Sequence, residues 1–154
     1  MSQFVYIAGP FFSEADRLFL ESLVAKLAAS SGLDPLRHFF LPHRDRGELS
    51  ANPTLQEVFA LDIRHLEAAQ VVVTYLDGID ADSGTCVELG YAHARGKKVF
   101  GISTDLRVGQ SGLELRHLNL MVWGACAGGR TLFHNIDDLA AAFTLHIRQS
   151  RPAD

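Results

Sequence analysis

The chain alternates short unbroken apolar runs with longer segments in which apolar residues return every three or four positions. The run "FVYIAG" at 4–9 predicts a strand that ends in a turn at Gly9-Pro10. Ser13 followed three residues later by Asp16 is a capping box, and Leu20, Leu23, Val24 and Leu27 keep helical spacing until Gly32 stops the helix. "HFFLP" at 38–42 predicts a short buried strand, and "HRDRGELSANP" at 43–53 a long polar loop placed as a lid would be. A second helix is expected from Thr54 to Ala69, followed by "VVVTYL" at 71–76, a strand buried on both faces as parallel strands are. Beyond an acidic loop, a third helix runs from about Thr85 to Arg95, stops at Gly96 and leads into strand "VFGIS" at 99–103. The last third is less regular, with a short helix over 118–124, a weak strand at 131–133 and a helix from Asp137 to about Gln149. Strand and helix in alternation predict an α/β fold: a single domain over residues 1–154, doubly wound and flavodoxin-like, with a parallel sheet and helices on both faces.

Composition narrows the function. Of 154 residues, 47% are apolar and 21% charged, which is ordinary globular usage. No apolar run approaches the ~20 residues that cross a bilayer, and no basic segment or small-residue cleavage site surrounds the first strand, so a cytoplasmic protein is expected, with no membrane partner. Cys86 and Cys126 are too few for a disulfide framework and read as reduced, structural thiols. A net charge of -4, with Lys97-Lys98 the one basic pair that draws notice, argues against nucleic acid polymers.

The chemistry is concentrated after the strand at 71–76, where "DGIDADSGTCVELGYAHARGKKV" sets Asp77, Asp80, Asp82 and Glu88 close together. The first strand-helix turn, "AGPFFSEAD", has one glycine where a dinucleotide site needs three, and no phosphate-binding G-x-x-x-x-G-K-[ST] is present. Glu14 and Asp16 in that turn would repel a phosphate, so a neutral ligand fits better. Tyr6, Phe11 and Phe12 offer ring faces to a flat heterocycle, although phenylalanines at a strand end are more often core. Glu88 lies three residues after Thr85, in what reads as the first turn of its helix; there the dipole favours an ionised carboxylate, ready as a nucleophile, and a plain capping box is the competing explanation. Asp62 shares a stripe with Leu55, Val58, Phe59, Leu66 and Ala69, so burial should raise its pKa and make it a proton donor; an aspartate that merely bonds backbone is as common. One charged and one protonated carboxylate form the two-role pattern of glycosyl transfer. The aspartate loop lacks the EF-hand spacing, and His38, His43, His65, His93, His117, His134 and His146 are scattered, so no metal and no cofactor is expected.

On these residues the chain resembles the nucleoside 2-deoxyribosyltransferases. "YIAGPFF", "ALDIRHLEAAQVVV", the block ending in "GKKV" and "NLMVWG" fall in the family's order, and the D-x-G-T-x-x-E-L-G-x-A core spans Asp82 to Ala92. The resemblance implies transfer of a 2-deoxyribosyl group between nucleobases, with retention at the anomeric carbon, through a covalent sugar ester on Glu88. It implies Asp62 and Asp82 beside the base or sugar as rival proton donors, Tyr6 close to the nucleophile, and substrate contacts from Gly9, Phe11, Phe12 and Gly84. Asn119 matches an asparagine that reaches the sugar in a neighbouring subunit's site, which implies a homo-oligomer acting on a deoxynucleoside and a free nucleobase. The tail "HIRQSRPAD" departs from the one that completes the pocket in some members. Two alternatives stand beside this reading: a 2'-deoxynucleoside 5'-monophosphate N-hydrolase of the same superfamily, disfavoured because "GPFFSEAD" lacks its arginine, and a non-catalytic nucleoside or nucleotide sensor.

Overall fold

The structure, a computed structural model, describes residues 3–105 and 118–150. His117 and the last four residues of the tail lie outside the described residues. The elements follow the chain as β1 (Val5–Ala8), α1 (Glu14–Ser31), β2 (Phe39–Phe40), α2 (Leu55–Ala68), β3 (Val71–Tyr75), α3 (Ser83–Ala94), β4 (Lys98–Ile102), α4 (Leu120–Ala125), β5 (Leu132–Phe133) and α5 (Ile136–Gln149). The strands form one sheet in the order β2-β1-β3-β4-β5, every pairing parallel, as expected of the doubly wound α/β class.

Side-chain alternation along β1 and β3 divides the core in two. Val5, Ile7, Val71 and Val73 point to one face and pack with Leu20, Leu23 and Leu27 of α1 and Leu139 and Phe143 of α5. Tyr6, Ala8 and Val72 point to the other and meet Leu61 and Leu66 of α2, Leu89 and Ala92 of α3, and Val122 of α4. Because β1 and β3 are covered on both sides, their residues are almost all fully buried, which is why they read as continuous apolar runs. The period-two alternation therefore sends Tyr6 towards α2 and α3, the helices that carry Asp62 and Glu88.

Local chemistry fixes the ends. Ser13 and Asp16 form the expected capping box of α1, and Gly32 ends that helix in the left-handed region, with φ 73°. Thr54 and Glu57 form a second capping box on α2 that sequence reading passed over. "HFFLP" contributes only Phe39 and Phe40 to the sheet, because the chain turns at Leu41, whose N–H is taken by the Asp45 carboxylate. Both cysteines are free thiols. Among the described residues no helix is long and apolar enough to cross a membrane.

Candidate active site

The order β2-β1-β3 places a topological switch between β1 and β3, with the turn after β1 and the loop after β3 at the carboxyl ends of the strands. The turn starts at Gly9, where a Cβ would come within 3.0 Å of Leu20 and 3.1 Å of Tyr75, so glycine lets β1 pass close to both. Arg17, on the first turns of α1, reaches back and donates from Nη1 to the carbonyl oxygens of Phe11 and Phe12, at 2.8 and 3.2 Å. This holds the aromatic pair in place: Phe11 packs against the core while Phe12 stays exposed.

The loop after β3 divides its aspartates. Asp77 accepts from Ser103 Oγ and from the backbone N–H groups of Thr104 and Asp105, and it also takes the Thr104 hydroxyl, so it ties β3 to the end of β4. Asp82 caps α3, accepting from Thr85 N at 2.9 Å and Thr85 Oγ1 at 3.1 Å. This corrects the expected helix start. Thr85 does not cap the helix; Asp82 competes for that place more effectively because a carboxylate two residues before Gly84 can reach both the Thr85 amide and hydroxyl. Glu88 consequently sits in the second turn and not the first, away from the strongest part of the helix dipole.

The expectation of an ionised Glu88 is corrected as well. Burial beside Tyr6, opposed by the Tyr6 hydrogen bond and reinforced by the negative charges of Asp62 and Asp82, pushes the Glu88 carboxyl up to about 7. The Tyr6 phenol donates to Glu88 Oε1 at 2.5 Å. Burial, with the Glu88 charge behind it, raises the phenol's own pKa, so Tyr6 remains a donor.

On α2 the apolar stripe differs from the one read in sequence. Leu61, Leu66 and Ala69 are buried, whereas Leu55 and Phe59, in the first half of α2, are exposed, at 90% and 63%. Asp62 is half-buried next to Leu61. Its pKa is raised by burial and drawn back by the charges of Arg46 and His65. It makes no hydrogen bond to any described residue. His65, one turn further on, stacks on Phe40 with ring centres 3.9 Å apart and bonds Glu48 at 3.2 Å. Arg64 meets the same Glu48 at 3.1 Å, so the polar loop 43–53 is fastened to α2.

Tyr6, Asp62, Gly84 and Glu88 share the wall of one cavity of about 270 Å³, completed by Phe59, Ile63, Leu66, Val87 and Tyr91. Sequence reasoning missed Ile63 and Val87, the chain neighbours of Asp62 and Glu88, and Tyr91, three residues after Glu88 on the same helical face. It also missed Arg46, whose guanidinium lies over the Phe11 ring, 5.3 Å from its centre. Asp82, Gly9, Phe11 and Phe12 lie outside this wall, Asp82 near enough to act on Glu88 through its charge. Asn119 is not brought into the cavity: it caps α4, accepting from Met121 N at 2.9 Å, and faces a groove of about 820 Å³ between α3 and α4. Among the described residues, no three His, Cys, Asp or Glu side chains gather as a metal ion would require.

A protein of Ureaplasma parvum serovar 3 described as uncharacterized is 27% identical over 156 residues, covering 94% of this chain and 96% of its own. A conserved protein from Enterococcus faecalis V583 superimposes with a TM-score of 0.78 at 24% identity, over 95% of this chain and 99% of the other. A 2-desoxiribosyltransferase from Leishmania mexicana gives 0.66 at 23%, covering 94% and 98%, and a 2-deoxyribosyltransferase from Bacillus psychrosaccharolyticus gives 0.63 at 23%, covering 90% and 94%. At these identities the three structures share the fold. Residues 5–122, which carry Tyr6, Asp62, Asp82 and Glu88, match the family described as Nucleoside 2-deoxyribosyltransferase. The chain belongs to that family.

Proposed function

We propose that the protein moves a 2-deoxyribosyl group from one nucleobase to another through a sugar ester on Glu88, with retention at the anomeric carbon. The observation that carries this reading is the Glu88 carboxylate, fixed by Tyr6 at 2.5 Å, on the wall of a cavity that also presents the half-buried Asp62. In the first step a Glu88 oxygen bonds to C1' from one face of the sugar as the bond from C1' to the base nitrogen breaks. The bonding pair leaves with the base, and the Asp62 proton passes to another ring nitrogen of that base. In the second step an incoming base attacks C1' from the vacated face, the ester bond breaks, and Glu88 recovers its electron pair while the incoming base returns a proton to Asp62. Two inversions give retention. Ile63, Leu66 and Val87 line the cavity with apolar surface, which disfavours water as the acceptor.

Asp62 suits the acid role better than Asp82. The Asp82 carboxylate is committed to accepting two hydrogen bonds from Thr85, whereas Asp62 faces the cavity unengaged and has a raised pKa. Asn119 lies off its own cavity beside the exposed Leu120 and Met121, which supports a role in a neighbouring subunit's site and a homo-oligomer.

Incubation with deoxyinosine, with and without adenine, tests the reading. New deoxyadenosine is the expected product. Free hypoxanthine alone would make the enzyme a hydrolase, and no reaction would leave a binding protein. Glu88→Ala should abolish exchange while the protein stays folded; activity within about tenfold of wild type, a loss of under about 1.4 kcal/mol in barrier, would remove Glu88 as nucleophile.

A further inference from the structure

Tyr91 shares the cavity wall with Tyr6, Asp62 and Glu88, yet the exchange chemistry leaves its hydroxyl without a task. That hydroxyl donates to Glu67 Oε1 at 2.6 Å, so both tyrosines of the wall hold a glutamate, Tyr6 inside the cavity and Tyr91 outside it. Tyr91 follows Glu88 by three residues on α3, and Glu67 lies in the last turn of α2, five residues after Asp62. The end of α3 adds to this contact. Gly96, with φ 67°, closes the helix: its N–H goes to the His93 carbonyl and that of Lys97 to the Ala92 carbonyl, the pattern of a Schellman turn. The turn sends Lys97 back over α2, where Nζ donates to the carbonyls of Glu67 at 2.8 Å and Ala69 at 2.7 Å, at the helix end whose oxygens lack intrahelical partners. Arg95 lies over the Tyr91 ring, 5.9 Å from its centre, and 3.8 Å from Glu67 Oε1.

Among the described residues, the polar side-chain contacts that join α2 to α3 and its closing turn are all at this end, and none joins Asp62 to Glu88. Leu61, Leu66, Leu89 and Ala92 hold the two helices in one apolar cluster, but apolar attraction has no direction and fixes no spacing. We propose that Tyr91 and Glu67 are positioning residues: their hydrogen bond sets the gap between α2 and α3, and with it the distance from Asp62 to Glu88 and the access of water to both. What this means for transfer rests on the transferase reading; the gap itself does not. Tyr91→Phe keeps the ring on the wall and removes only the tie. The groups that face Glu88 are then unchanged: Tyr6 from β1, Asp62 from α2 and Asp82 at the start of α3. Burial is the chief cause that holds the Glu88 carboxyl at about 7, so water entering a wider gap would lower it towards the ordinary 4.5.

The test follows the Glu88 carboxyl by carbon NMR titration of the ligand-free protein, in wild type, Tyr91→Phe, Glu67→Ala, Glu67→Gln and the double variant Tyr91→Phe with Glu67→Ala. Tyr91→Phe and Glu67→Ala should each lower its value by at least about 0.5 pH unit, and the double variant by no more than the larger of the two, because both break the same bond. Glu67→Gln should stay within about 0.2 pH unit of wild type, since an amide oxygen still accepts from the phenol. On the transferase reading, Tyr91→Phe should also divert the sugar to water, raising free deoxyribose per deoxyadenosine at least about threefold when deoxyinosine and adenine are supplied. A Glu88 value unmoved in folded Tyr91→Phe, additive effects in the double variant, or Glu67→Gln displaced as far as Glu67→Ala would overturn the assignment. If Tyr91→Phe fails to fold, Glu67→Ala against Glu67→Gln decides it. The reading beneath it fails separately: a shifted Glu88 in a protein that exchanges no base removes the transferase and keeps the tie, while exchange with an unshifted Glu88 does the reverse.

Discussion

Tyr6 and Glu88, 82 residues apart, are joined by a 2.5 Å hydrogen bond that ties the middle of β1 to the second turn of α3. The phenol donates, so it favours the ionised carboxylate and holds Glu88 below the value that burial alone would set. Tyr6→Phe removes the donor without vacating the ring's place beside Phe40. The Glu88 pKa should then rise above about 7. The acid limb of kcat/KM should move to higher pH, with a hydrogen bond of ~1 kcal/mol corresponding to somewhat under one pH unit. An unmoved limb would mean that the bond positions Glu88 without tuning it.

A carboxyl raised to about 7 when folded, against the ordinary 4.5, binds its proton more tightly in the native state. Stability from this group is therefore complete below about 4.5, declines as pH rises between that value and about 7, and stays lower above it. Glu88→Gln is neutral at every pH and escapes the decline. Chemical denaturation at pH 8 should find it more stable than wild type by ~2 kcal/mol, after allowance for partial exposure, with the gain gone at pH 4.5. A variant less stable than wild type at pH 8 would place Glu88 among the packing residues.

The strands and helices were legible because each rests on a local signal: the apolar runs of β1 and β3, the Ser13 capping box, the left-handed stop at Gly32. The doubly wound order followed from their alternation. What the sequence misread depends on distance. Spacing alone cannot tell the Thr85 hydroxyl from the Asp82 carboxylate as the cap of α3, and only the folded chain brings Tyr6 against Glu88 and makes that carboxyl reluctant to ionise. Leu55 and Phe59 keep helical period with Leu66, yet they are exposed where Leu66 is buried, and spacing cannot tell how far along a helix its packing partner reaches. Arg46 gave no signal, since a single arginine in a polar loop is ordinarily solvated; its place over Phe11 depends on the Asp45 and Glu48 contacts at either side.

Glu48 should act on substrate capture rather than on chemistry. It fastens the loop that carries Arg46 to Arg64 and His65, and the ion pair with Arg64 is largely exposed and worth little to stability. Glu48→Gln should leave the melting temperature within about 3 °C of wild type. It should raise KM several-fold and leave kcat within about twofold, because a loosened loop spends binding energy on its own ordering. A fall in kcat at unchanged KM would show that the loop positions reacting groups.

The sharpest prediction concerns the shared proton. Glu88 attacks as an anion and Asp62 donates as an acid, so the productive enzyme carries one proton on the pair. Both carboxyls are raised by burial, and the negative charge of Asp62 raises Glu88 further. Rates should therefore rise as the first proton leaves and fall as the second leaves, in a bell whose two apparent values belong to the pair. Asp62→Asn removes the transferable proton and the like charge together. The alkaline limb should disappear, and the acid limb, now Glu88 alone, should stay close to its wild-type place, because in the productive form Asp62 is already neutral when Glu88 ionises. The maximal rate should drop by ~10²–10⁴-fold, the usual worth of a positioned general acid. The loss should be greatest for bases that leave poorly without protonation. The pH profile of kcat/KM for Asp62→Asn, set beside that of Asp82→Asn, decides the matter: if Asp62→Asn keeps the full bell while Asp82→Asn loses its alkaline side, the acid is Asp82, and Asp62 serves only to pack α2 against the cavity.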